Sequence, residues 1–245
     1  MYPENQFYFA HRGGNETAPE NSLTSFLAAY SLGCRFLELD LRTTLDDELV
    51  VLHDASLKRV AQRDVRIAHL TKRELETIKY PNGEPVLLFA DFMANIPTDA
   101  RLNIDPKTDS AARLLVATLR DNPHLFERVA VGTFSTTRIR WIRTELPELP
   151  TVASRNEVLT AFARFLAGKS LNTPAKALQI PLTPYFRPHL RAEFADYLHE
   201  QGLQVHVWTV NSLADMQWLY ARGMDAVMTD KPAIAQTYFD TRQGI

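Results

Sequence analysis

A single cysteine in 245 residues rules out an internal disulfide, so the chain does not read as a stapled secreted domain. Cys34 lies in an apolar stretch, where a buried, inert thiol is expected rather than a nucleophile. Excess charge of one sign is missing too. Lys and Arg number 27 against 29 Asp and Glu, a formal net charge of −2, which excludes a global basic field for gripping nucleic acid. Any anion must be held locally. No apolar run approaches the ~20 residues that span a bilayer, and MYPENQFYFA at the start lacks the basic flank and long apolar run of a signal peptide. The expectations are no membrane span and a cytoplasmic setting. Sequence repeats and low-complexity tracts are also lacking.

What remains is an ordinary globular composition, 45% hydrophobic and 23% charged, sufficient for a sizeable core. Short apolar or β-branched runs alternate with longer segments of helical period, the signature of repeated β-α units around a parallel sheet. Candidate strands cover residues 7–13, 35–41, 101–107, 128–134, 150–154, 177–181, 203–210 and 225–230. Eight such units predict an α/β protein, a (β/α)8 TIM barrel, as one domain over residues 1–245, since such barrels use about 250 residues. Helices are predicted over 22–30, from Asp109 onward, over 155–167 and 188–201, and after Ser212, whose cap is completed by Asp215. A further strand-like run, residues 48–54, is read as part of a small insertion after the second strand. Thr71 and Glu74 mark a small helix in the same excursion. Pro174, Pro181, Pro184 and Pro188 predict a rigid loop.

Side chains alternate along a strand, so Glu38 and Asp40 in FLELDL share a face, as do Asn103, Asp105 and Lys107 in RLNIDPK. Carboxylates gathered at strand C-terminal ends lie where barrel active sites collect. Burying like charges together calls for a compensating cation, and hard oxygen donors suit Mg²⁺ or Ca²⁺. His11 closes the first strand beside Arg12, and His53 ends VVLHD beside Asp54. Phosphodiester hydrolysis needs a neutralised nonbridging oxygen, a base for the nucleophile and an acid for the departing alkoxide; this inventory contains all three.

The run HRGGNETAPENSLTSF, residues 11–26, resembles the opening signature of the glycerophosphodiester phosphodiesterase family. The resemblance continues through Glu38 and Asp40, His53 and Asp54, VGTFS at 131–135, WTVN from Trp208 and MTDKP ending at Pro232. It implies one divalent cation held by Glu38, Asp40 and Asp105, an acid-base pair in His11 and His53, phosphate contacts from Arg12 and Lys107, and Trp208 at the substrate rim. The implied partner is a small-molecule glycerophosphodiester. Members of the family usually carry Glu where this chain has Asp105, and the missing methylene draws the carboxylate back. Related phospholipase D toxins of the same barrel type resemble this chain in using Asp there.

Other readings stay open at this level. One is phospholipase D-like cleavage of lysophospholipids; another makes Lys107 a Schiff-base nucleophile. The non-enzyme reading is a catalytically silent phosphate-binding barrel. Tyr185 and Phe186 on the proline-rich loop are candidates for an apolar wall. His69, His124, His189, His199 and His206 match no motif and are read as structural or exposed.

Overall fold

Strands buried on both faces can be satisfied only in a sheet covered on each side, which favours parallel pairing with helices outside. The second strand, FLELDLRT, has this character, with seven of its eight residues buried. The computed structural model describes residues 7–243; residues 1–6, part of the N-terminal stretch discussed above, lie outside the described residues. Along the chain come β1 (Phe7–His11), α1 (Leu23–Ser31), β2 (Phe36–Thr43), β3 (Leu49–Val51), α2 (Lys58–Ala61), α3 (Lys72–Leu75) and α4 (Phe89–Asn95). Then follow β4 (Arg101–Pro106), α5 (Asp109–Asp121), β5 (Val129–Val131), α6 (Thr136–Glu145), α7 (Arg155–Leu166) and β6 (Ala177–Pro181). The last third holds α8 (Ala192–His199), β7 (Gln204–Trp208), α9 (Leu213–Tyr220), β8 (Ala226–Thr229) and α10 (Pro232–Gln243).

Seven parallel strands form a curled sheet in the order β5-β4-β2-β1-β8-β7-β6. The gap between its ends is filled by the predicted strand at 150–154, reduced to two parallel bridges, Val131 to Thr151 and Val152 to Ala177. Backbone hydrogen bonds from Val152 to Val131 (3.0 Å) and from Ala153 to Ala177 (2.9 Å) carry the ring across this seam. Pro150 has no N–H to donate, which helps keep the strand short.

The outward faces of the strands, including Leu37, Leu39 and Leu41, pack under the helices in the main core. Each such fully buried aliphatic side chain contributes roughly 1.5–3 kcal/mol. On α5 the buried positions Ala112, Leu115, Val116 and Leu119 repeat at helical spacing and face the barrel, as predicted. The inward faces form a separate plug of Phe7, Phe9, Phe36, Ala130, Ala226 and Met228, with Trp208 packed against it. Polar residues sit above that plug, toward the strand C-terminal ends.

Between β2 and β4 the chain makes a long excursion. β3 pairs antiparallel with the end of β2 (Leu41 with Val51, Thr43 with Leu49). Val50, Leu52, Leu57, Ile67, Leu75 and Leu88 then build a small cluster of their own. The capping box at Thr71 and Glu74 starts α3 where the sequence marks a small helix. One helix boundary differs more. Residues 187–189 are a 3-10 turn and α8 begins only at Ala192, because Pro188 suits a first turn and cannot sit within a helix.

Candidate active site

Register determines which side chains meet. β1 and β2 pair so that His11 stands beside Glu38, and β2 and β4 pair so that Asp40 stands beside Asp105. Paired residues on neighbouring strands project to the same face about 4.8 Å apart, so acids on these strands are forced together. His11, Arg12, Glu38, Asp40, His53, Asp105, Lys107 and Trp208 all line one pocket at the strand C-terminal ends. These eight candidate site residues therefore arrive at one place, while Tyr185 and Phe186 line a neighbouring hollow.

The turn after β1 is built to hold Arg12. Its backbone is left-handed (φ 55°), a strained state for a residue with a Cβ, and its N–H donates to Glu38 Oε2 at 3.0 Å. Gly13 follows with φ 79°; a Cβ there would run into Ser25 Oγ and the Phe26 backbone of α1, so the close approach demands glycine. The α1 start is secured by Ser22, which accepts from the Ser25 N–H at 3.2 Å. Arg12 Nε lies 3.2 Å from Asp40 Oδ2, and its Nη1 donates to Glu20 Oε1 at 3.1 Å.

Asp40 is almost fully buried and heavily engaged. Lys107 Nζ approaches its Oδ1 at 2.7 Å, while Asn21 Nδ2 donates to its Oδ2 at 3.1 Å. Burial opposes its ionisation, but Lys107 and Arg12 outweigh that and hold its pKa below the usual carboxylate range. Lys107 also contacts Asp105 Oδ2 at 2.6 Å. The two acids overcome burial and keep the ammonium protonated. These surroundings argue against the Schiff-base reading, which needs a neutral amine.

Glu38 and Asp105 are less well compensated. Burial, then the Asp40 charge, pushes Glu38 up to about 7. Burial raises Asp105 as well, and its Oδ1 is buried without a hydrogen-bond partner. Among the described residues no group of three Asp, Glu, His or Cys side chains is arranged to hold a metal ion as the side chains stand, with Lys107 drawn against both Asp40 and Asp105. Even so, the chemistry of the donors fits a hard cation. Three carboxyl groups face two fixed cations, and both underserved carboxyls are shifted in the direction that added positive charge would relieve.

Each histidine is oriented by a carboxylate. His11 Nδ1 lies 2.7 Å from Asp230 Oδ1, just past β8, and its Nε2 is 4.0 Å from Glu38. Burial disfavours its protonation, yet Asp230 and Glu38 prevail and its pKa is raised. His53 Nδ1 lies 2.7 Å from Asp54 Oδ1, and burial lowers its pKa despite Asp40 and Asp54. The paired ring nitrogens leave Nε2 of each imidazole for other work.

Sequence reasoning assigned no role to Glu20, Asp230 or Arg59. Arg59, on α2 of the excursion, donates from Nε to Asp54 Oδ2 at 2.7 Å and from Nη1 and Nη2 to Glu20 at 2.8 and 2.7 Å. It thus clamps the carboxylate behind His53 to the carboxylate behind Arg12. Asp230 was detectable, being an acid at the end of a barrel strand; nothing in the spacing of Arg59 marked it. Cys34 is buried, its thiol pushed up to about 12 by desolvation, and is inert as expected.

A (β/α)8 barrel with acids, cations and two carboxylate-backed imidazoles at one mouth defines a class, the barrel hydrolases of phosphoric diesters. The chain belongs to the glycerophosphoryl diester phosphodiesterase family, whose model matches residues 11–234. A Mycobacterium tuberculosis protein named "Probable glycerophosphodiester phosphodiesterase 2" is 30% identical over 233 residues, covering 91% of this chain and 86% of that protein. The rat lysophospholipase D GDPD1 is 24% identical over 92% of this chain and 83% of its own length. Among solved structures, an Oleispira antarctica phosphodiesterase in complex with the product sn-glycerol-3-phosphate superposes with a TM-score of 0.77. At 20% identity, with 96% of each chain covered, that likeness speaks for the fold. No helix among the described residues is long and apolar enough to cross a membrane.

Proposed function

We propose that the chain hydrolyses glycerophosphodiesters to glycerol 3-phosphate and an alcohol. The observation that carries this reading is the meeting of His11 and His53, each with its own carboxylate, in one pocket with Arg12 and Lys107. Arg12 and Lys107 hold the phosphate monoanion, the guanidinium by its planar donors and the ammonium as a point charge. Trp208 forms part of the rim against which the substrate rests.

The two imidazoles are pushed in opposite directions, which suits them to opposite tasks. His53, kept neutral by burial, accepts the proton of the attacking hydroxyl at Nε2. His11, kept protonated by Asp230, donates from Nε2 to the departing alkoxide as the P–O bond breaks. Each contributes about 10²–10⁴ in rate. Glu38, Asp40 and Asp105 would hold one divalent cation, Mg²⁺ or Ca²⁺, which when bound supplies neutralisation of a nonbridging phosphate oxygen.

Release of glycerol 3-phosphate from glycerophosphocholine, glycerophosphoethanolamine and glycerophosphoglycerol tests the proposal directly. Turnover should require Mg²⁺ or Ca²⁺, vanish with chelator and return when metal is restored. Absence of turnover across the three diesters with either metal defeats it.

A further inference from the structure

Asp230, the carboxylate behind His11, follows the last barrel strand with 24% of its side chain open to water. A carboxylate so placed has other staggered rotamers open to it, and packing alone does not aim it at the imidazole. What holds it is Asn211, on the turn after β7. Asn211 Nδ2 donates to Asp230 Oδ2 at 2.9 Å, and the Asp230 backbone N–H donates to Asn211 Oδ1 at 2.9 Å. Only the amide oxygen can receive a backbone N–H, so the amide has one orientation and its NH2 necessarily faces the carboxylate. Thr229 Oγ1 gives Asn211 Oδ1 a second donor at 3.2 Å, and the Asp230 carbonyl accepts from the Asn15 N–H at 3.0 Å. Main chain and side chain of Asp230 are thus gripped together, with Oδ1 left for His11 Nδ1 at 2.7 Å.

The carboxylate behind the other imidazole is held differently. Asp54 takes the Arg59 guanidinium, whereas no Lys or Arg among the described residues pairs with Asp230. A neutral amide aims a carboxylate without cancelling its charge. The grip on Asp230 therefore leaves that charge for the imidazole assigned to give up a proton.

We infer that Asn211 is a positioning residue for the acid step: it holds Asp230 in line with His11, and so keeps Nε2 of that imidazole directed at the departing alkoxide. The inference rests on the hydrolytic reading above and extends it by one residue. In the step concerned, the attacking oxygen bonds to phosphorus and the P–O bond to the alcohol breaks with its electron pair on the leaving oxygen. The proton on His11 Nε2 passes to that oxygen. Asn211 does not line the pocket and acts only through Asp230.

Asn211→Ala and Asn211→Asp, assayed with Mg²⁺ or Ca²⁺ present, test this. The turn is exposed, so both variants should keep the melting temperature of the parent. Alanine removes the whole grip; aspartate keeps an oxygen for the Asp230 and Thr229 donors but sets a like charge against Oδ2. Both should lower kcat for glycerophosphocholine about tenfold or more with KM little changed, as is common for a group that acts through another. With glycerophospho-p-nitrophenol, whose leaving phenolate needs no proton, the loss should shrink to within about twofold. In an Asp230→Ala background, Asn211→Ala should add nothing further. Recovery of kcat in Asn211→Asp, or an equal loss with both leaving groups, overturns the inference and reduces Asn211 to a prop of the turn. If the parent cleaves no diester the hydrolytic reading falls, and the proton resonance of His11 Nδ1–H, assigned by its absence in His11→Ala, decides the grip alone. A resonance present in the parent and lost in both variants supports it; absence from the parent, or persistence in either variant, overturns it.

Discussion

At the residue scale, the site is a set of paired charges in which each imidazole depends on one carboxylate. His11→Ala and His53→Ala should each lower kcat by about 10²–10⁴, while circular dichroism and melting temperature stay near those of the parent. Both residues stand at the mouth above the apolar plug, so neither truncation opens the core. Near-parental rates in both variants would remove the acid-base assignment. These residues were legible because strand alternation and strand ends suffice to place them; Glu38, Asp40, Asp105 and Lys107 follow from a period of two. What alternation could not reveal is that Lys107 sits against two acids at once. That depends on the β2 to β4 register, which pairs Asp40 with Asp105.

At the scale of elements, α2 supports the site although it touches no barrel strand through its Arg59 contacts. With both Asp54 and Glu20 in its grip, Arg59 ties the excursion to the turn after β1. Arg59→Ala should lower kcat about 10-fold or more with a smaller change in KM, as removal of an outer supporting group commonly does. Arg59→Lys should recover little, since one ammonium cannot reproduce the planar fork across two carboxylates. An unchanged kcat in both variants would reduce the clamp to a surface ion pair. Most elements could be read in advance where an apolar stripe or a cap declared them, as on α5 and α3. α6 declared little, having only Ile139 and Ile142 buried among polar neighbours. The seam at Thr151 and Val152 is likewise short, and Gly132 beside it admits no Cβ without striking the Val152 side chain. Such close packing is a tertiary fact that local pattern does not contain.

For the whole molecule, the count of β-α units was enough to anticipate a closed barrel, because eight parallel strands leave few other ways to bury both sheet faces. The interior plug carries a penalty that the sequence did not advertise. His206 is wholly buried on β7 against Phe7 and Phe9, and desolvation lowers its pKa to about 3. The unfolded chain therefore takes up this proton first, near pH 6.5, and stability falls as pH drops from there toward 3. The loss at pH 5 relative to neutrality is about 2 kcal/mol. Urea unfolding at pH 7.5 and pH 5 should show it, and His206→Phe should remove most of that difference; an equal acid loss in the variant would place the cause elsewhere.

Part of the excursion between β2 and β4, with Leu52, Leu57, Ile67 and Leu75 in it, gathers around a centre of its own, whereas Leu49, Val51, Phe89 and Phe92 pack into the main core; His53 is delivered from the excursion while His11 comes from the barrel. One member of the proposed acid-base pair thus rides on a small cluster of its own, which should come loose while the wheel of strands stays whole. Warming should silence turnover several degrees before the barrel melts, with amide exchange quickening first between residues 52 and 75. Coincident loss of activity and of barrel signal would mean that the two centres hold or fail as one.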